Sequence, residues 1–185
     1  MYYCHRLEMD ILLLITGSVA AYKALEVIRE LRRRKYNLRC VLSKAGEQFI
    51  TPLSVSALSD ANTYTESDSF SPQECMKHIS LSRGTDLILV VPASADIMGK
   101  AAHGICDDLP TTILMAANVP VIMAPAMNTV MWQSPAMQRN LNTLKQDKVF
   151  IIEPETGILA CGEEGPGKMA KVEDIVAFVE KFQKC

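Results

Sequence analysis

The sequence predicts an α/β fold, a doubly wound parallel sheet sandwich in a single domain. Three observations carry this. Asp10-Ile-Leu-Leu-Leu-Ile-Thr16 is a continuous apolar run ending at Gly17, the pattern of a strand buried on both faces of a parallel sheet. Similar short runs alternate with amphipathic stretches of helical period along the chain. The chain has 185 residues, 49% hydrophobic and 22% charged, which suits one domain with a full core.

The elements follow in order. After the first strand, Val19 to Lys35 reads as a helix. Its apolar positions Ala21, Leu25, Ile28 and Leu31 share one face, and Glu26, Arg29, Glu30 and Arg33 the other. Leu38 to Leu42 is a second strand, and Thr51-Pro52 opens a short helix to Leu58. Residues 60–72 are polar and read as a loop. Leu87 to Val91 is a buried strand halted by Pro92. Helices are predicted over Ala95–Ala102, Thr111–Ala117, Ser134–Gln146 and Val172–Phe182, and strands over Val119–Ala124 and Val149–Ile152. Residues 10–185 form the domain, and residues 1–9 an N-terminal extension in which Met9 is an alternative start.

The net charge of -2 gives no reason to expect nucleic acid or a membrane surface. Apolar runs such as Ile11 to Ile15 are too short to cross a bilayer. No signal peptide is visible before the first strand. The six cysteines, Cys4, Cys40, Cys75, Cys106, Cys161 and Cys185, form no C-x-x-C pair and no zinc-ligand spacing. Scattered thiols without a targeting signal read as cytoplasmic and reduced. No metal site is expected.

In a doubly wound sheet, ligands sit at the carboxyl ends of the strands. That rule selects Gly17-Ser18, Ser43, Pro92-Ala93-Ser94-Ala95 and Pro125-Ala126-Met127-Asn128. Gly17 and Ser18 offer backbone N–H groups, a hydroxyl and a helix start to an anion. G-x-G-x-x-G is absent, so the turn fits a mononucleotide such as FMN better than NAD; a plain tight turn is the other reading. Ser43 ends the neighbouring strand and is placed to reach the same phosphate. Ser94 and Asp96 fit both a helix cap and a ligand contact. Asn128 carries an acceptor and two donors, suited to a carboxylate or to capping the next turn. Of the three histidines, His5 and His103 read as ordinary polar residues, and His78 does so too when taken alone.

Ala160-Cys161-Gly162-Glu163-Glu164-Gly165-Pro166-Gly167-Lys168-Met169 packs three glycines and a cysteine into one stretch. Without a hydrophobic period it reads as neither helix nor strand but as a mobile or tightly turned loop. A lid bearing a reactive thiol and an idle surface turn both fit.

Taken together, Gly17-Ser18-Val19-Ala20-Ala21-Tyr22-Lys23, His78-Ile79, Pro92-Ala93-Ser94-Ala95, Pro125-Ala126-Met127-Asn128 and the Ala160–Met169 stretch resemble, in order and spacing, the flavin-containing cysteine decarboxylases. The similarity is to those acting on 4'-phosphopantothenoylcysteine in coenzyme A synthesis. It covers nearly everything from Asp10 onward. It implies a Rossmann-like or flavodoxin-like fold with FMN bound between subunits of a trimer. Carried over, Gly17, Ser18, Val19, Ser43, Ser94, Ala95, Asp96, Ile97 and Ala126 would bind FMN. His78 would be the base, Asn128 the carboxylate holder and Cys161 the acid. Asn128, Met131, Ala160, Gly162, Lys168 and Met169 would contact substrate, under the loop as a clamp. Asp96-Ile97 departs from the Asn-Thr of several relatives. Peptidyl-cysteine decarboxylases share the core. Flavin prenyltransferases differ by extra first-loop glycines and an arginine-rich segment, neither evident here. Phosphatase-binding relatives carry long acidic tails, also not seen.

Overall fold

The computed structural model describes residues 9–70 and 77–183. β1 (Asp10–Ile15) lies at the centre of a six-stranded sheet with β2 (Asn37–Leu42), β3 (Thr63–Tyr64), β4 (Leu87–Ala93), β5 (Val121–Pro125) and β6 (Phe150–Ile151). All pairings are parallel, in the order β3-β2-β1-β4-β5-β6. The doubly wound α/β sandwich expected from the sequence is what forms.

Alternation explains why β1 is apolar throughout. Ile11, Leu13 and Ile15 enter one core, and Leu12 and Leu14 enter the other. The first core is closed by α1 (Ala21–Arg33) and α8 (Val172–Glu180). The second is closed by α4 (Ala95–Ala102), α5 (Leu109–Met115) and α7 (Pro135–Gln146). α1 buries Ala21, Ala24, Val27, Ile28 and Leu31, whereas Leu25 packs only partly. α2 (Pro52–Ser59) starts at Thr51, whose Oγ1 accepts a hydrogen bond from Ser54 N at 3.1 Å. α3 (Lys77–Arg83) packs on α5. α6 (Thr129–Gln133) is a short turn of helix leading into α7.

Three expectations are corrected. β4 is not halted at Pro92 but runs to Ala93, with a register shift against β5 between Val90 and Ala93. The stretch 60–72 is not all loop: it holds β3 and a 3-10 turn at Glu66–Phe70. The glycine-rich stretch is partly strand: β7 (Glu155–Ile158) and β8 (Glu164–Lys168) form an antiparallel two-stranded flap. Its ladder joins Gly157 to Gly165 and Ile158 to Glu164. Backbone pairing makes this strand, not side-chain pattern, so no hydrophobic period announces it.

Of the predicted N-terminal extension only Met9 is described. It is buried, and its carbonyl accepts from Asn37 N at 3.1 Å. Cys4, His5, Cys75 and Cys185 lie outside the described residues. No helix among the described residues is long and apolar enough to cross a membrane.

Candidate active site

The sheet order reverses direction between β1 and β4, and that crevice is where such sheets bind ligands. One side chain ties the crevice together. Thr16, just past β1, is buried; its hydroxyl donates to Pro92 O at 2.7 Å and accepts from Ser94 N at 3.0 Å. The strand ends are thereby held at fixed spacing.

A cavity of about 900 Å³ opens there, lined by Gly17, Ser43, Ser94, Ala95, Asp96, Ile97 and Ala126 among others. Small and hydroxylated residues past the ends of β1, β2, β4 and β5 form one part of its lining, and charged residues, among them Lys44, Glu66, Lys100 and Asp107, form another. The buried Ser43 Oγ accepts from Gly46 N at 3.0 Å, which organises the turn after β2. Ser94 Oγ accepts from Ile97 N at 3.4 Å, so Ser94 caps α4 and lines the cavity at once. A cavity of this volume is large enough for a mononucleotide.

The sequence did not single out an ion cluster in this wall. Lys100 Nζ lies 3.0 Å from Asp107 Oδ1, 3.3 Å from Asp96 Oδ2 and 3.5 Å from Asp108 Oδ2. The hydrogen bond to Asp107 leads in raising the Lys100 pKa above the ordinary lysine range. Only the Asp96–Lys100 pair, four apart on α4, was legible from spacing. Asp108 also caps α5, its Oδ1 accepting from Thr111 N at 2.9 Å.

A second cavity, about 500 Å³, adjoins the first and shares Ala126 and Met127 with it. It is lined by Ser18, Val19, Asn128, Ala160, Cys161, Lys168 and Met169, with Tyr22 and Lys23 from α1. Asn128 caps α6: its Oδ1 accepts from Met131 N at 2.8 Å. That bond fixes the amide orientation and leaves the NH₂ group for a ligand. Cys161 is exposed at the flap tip. The flap base is pinned, because Met127 N donates to Gly167 O at 3.0 Å. Gly167 has φ +120°, and a Cβ there would collide with the Met127 carbonyl oxygen.

The predicted residues therefore divide. Ser18 and Val19 line the smaller cavity rather than the larger one, and Met131 the reverse. Gly162 lines neither described cavity; it is exposed in the flap turn at φ +85°. His78 is half-buried on α3 and lines neither cavity of its own chain. A third cavity, about 560 Å³, lies at the amino end of β5 and contains none of the predicted site residues. Among the described residues no group of His, Cys, Asp or Glu is arranged to hold a metal ion.

The flavoprotein family model matches residues 2–184 of this chain. The chain belongs to the flavoprotein family. The Bacillus subtilis coenzyme A biosynthesis bifunctional protein CoaBC is 40% identical over 172 residues, 93% of this chain and 42% of that protein. The chain thus spans less than half the length of that relative. A probable phosphopantothenoylcysteine decarboxylase of Streptococcus mutans is 36% identical, covering 92% of this chain and 97% of that one. A mutant PPC decarboxylase solved with pantothenoylaminoethenethiol superposes with TM-score 0.86 at 33% identity, covering 95% and 98% of the two chains. The FMN-binding protein AtHal3 gives 0.84 at 34%, covering 94% and 96%. This flavoprotein shares its overall fold with those two solved structures.

Proposed function

We propose that this flavoprotein decarboxylates 4'-phosphopantothenoylcysteine to 4'-phosphopantetheine in coenzyme A formation, with FMN in the larger cavity. The observation that carries it is the junction of the two cavities at Ala126 and Met127, with the Asn128 amide and the Cys161 thiol lining the smaller one. Relatives named for this pathway and this reaction support the substrate. An FMN-binding neighbour supports the cofactor.

A cysteine carboxylate has no electron sink beside it. FMN supplies, when bound, the reversible two-electron chemistry that makes the thiol-bearing carbon such a sink, so the reaction has no net redox change. Gly17, Ser43, Ser94 and Ala95 would hold it. The Asn128 NH₂ group holds the substrate carboxylate until it leaves as carbon dioxide. Cys161 donates a proton to the enethiol as that group is reduced to product. The flap, pinned through Gly167, closes over the smaller cavity and excludes water.

His78 takes the substrate thiol proton as general base. Because it lines neither cavity of its own chain, we assign it to the site of a neighbouring copy in a homotrimer. Val19, Tyr22 and Met131, exposed apolar side chains of the cavity walls, support a covered mouth. The single domain of residues 10–185 and a cytoplasmic setting complete the reading.

The test is direct. The purified protein should show an oxidised-flavin absorbance spectrum and release carbon dioxide from 4'-phosphopantothenoylcysteine. A colourless protein that takes up no added flavin sinks the proposal.

A further inference from the structure

The helix that carries His78 is short and is held from outside. α3 has seven residues, too few to stand alone in water. Leu81 anchors its middle in the second core. Arg39 holds its end. In β2, Leu38, Cys40 and Leu42 face the first core and Val41 the second. Alternation puts the half-buried Arg39 on the side of Val41, where Leu81 also packs. There its Nη1 donates to Ser80 O at 3.4 Å, and its Nη2 donates to Leu81 O at 3.3 Å and to Gly84 O. These carbonyls lie at the last turn of α3, where a helix leaves acceptors unfilled and its dipole favours a cation. Gly84 keeps the approach open, since a Cβ there would stand 3.1 Å from both terminal guanidinium nitrogens. At the other end, Lys77 Nζ lies 4.3 Å from the centre of the Tyr64 ring, on β3. His78 is the next residue along.

Arg39 lines neither site cavity, so it reaches the chemistry only through α3. We propose that Arg39 is the positioning residue of the general base: it fixes the end of α3, and so the angle at which His78 is presented to the neighbouring copy. This inference rests on the assignment of His78 above. The planar fork matters, because one guanidinium spans three carbonyls and resists both rotation and sliding of the helix, whereas an ammonium is a point charge. The contact of Lys77 with Tyr64 restrains the first turn, beside His78 itself. A base must stand within hydrogen-bond reach of the proton it takes, so a small shift of α3 costs rate rather than substrate binding.

The test uses the flavin-loaded protein as Arg39→Met and Arg39→Lys. Arg39→Met should lower kcat about 10- to 100-fold, with KM and flavin content near wild type, and Arg39→Lys should fall between the two. A raised KM at unchanged kcat overturns the assignment. Refolded together from denaturant, Arg39→Met should be rescued by Cys161→Ser, which supplies an intact Arg39 and His78, and not by His78→Asn. Rescue by both alike, or by neither while Cys161→Ser and His78→Asn still rescue each other, shows that Arg39 does not act through His78 and also overturns it. Hydrogen exchange separates the proposal from the reading beneath it. In Arg39→Met the amides of residues 77–84 should exchange about 10- to 100-fold faster, the usual worth of hydrogen bonds from a charged group, with those of β1 unchanged. Unchanged exchange over 77–84 overturns the anchor whatever the assembly. Failure of Cys161→Ser and His78→Asn to rescue each other overturns the shared site instead, and exchange together with the kcat of Arg39→Met then decides Arg39.

Discussion

Gly165 of β8 lies directly against the hydroxyl of Thr129 on α6, so close that a Cβ at Gly165 would overlap it. That hydroxyl oxygen is buried and has no hydrogen-bond partner among the described residues. The contact is the second point, after the Met127–Gly167 hydrogen bond, at which the flap touches the loop carrying Asn128. Together the two contacts hold β8 against the segment that carries Asn128.

Gly165→Ala should therefore lift β8 off α6. The expected result is a loss of turnover of at least roughly tenfold, since misplaced groups lose effective concentration steeply. Flavin content should stay at the wild-type level, because the flap does not line the larger cavity. Steady-state kinetics and flavin absorbance on the same preparation separate the two; wild-type turnover would show that the contact does not position the flap.

Thr129→Val keeps the shape and removes the unpaired hydroxyl. Burying such a group costs about 1–3 kcal/mol, so the variant should be more stable by that order. For a chain of this size the melting temperature rises about 2–4 °C per kcal/mol. A calorimetric scan checks it, and a lowered melting temperature would mean the hydroxyl has a partner in solution.

Cys161→Ser and His78→Asn should each abolish product formation while retaining flavin, and Cys161→Ser should accumulate the decarboxylated, unreduced enethiol, visible by mass spectrometry. In the proposed homotrimer one copy brings Cys161 and the next brings His78, so the two inactive variants, mixed in denaturant and refolded together, should regain activity. No recovery in verified mixed oligomers would place both groups in one chain.

Cys40 is buried in the first core, and burial pushes its thiol up to about 12. The unfolded thiol ionises near 8.5. The unfolded chain thus loses its proton first as pH rises, so this contribution to stability is complete below about pH 8.5 and is lost as pH climbs toward 12. Melting temperature should fall above that lower limit, and less steeply in Cys40→Ala. At pH near 8, iodoacetamide should label the exposed Cys106 and Cys161 and spare Cys40.

Much of this was legible before any fold was drawn. The Asp10–Thr16 run announced a strand buried on both faces, because each parity of its side chains meets a different core. Ser94 and Asn128 were readable as caps and as ligand contacts, and the structure makes them caps that also line the cavities. The flap was not legible as strand. Glu164–Lys168 holds two glycines and a proline, residues with poor strand preference, and its partner strand alone extends it. The Lys100 cluster was half legible, since Asp96 lies one helical turn away but Asp107 and Asp108 arrive through the fold.

By itself the sequence determined the layered α/β architecture, the strand ends that meet at the switch point and the residue types gathered there. These follow from periodicity and local turn chemistry, which act over a few residues. Only the tertiary structure decided that the crevice is two adjoining cavities, that Cys161 reaches one of them on a pinned flap, that His78 lines neither, and that Arg39 holds the end of the helix bearing His78. Those relations join residues up to about a hundred and forty positions apart. They depend on close backbone packing and hydrogen bonds between distant segments, which exist only once the strands have paired.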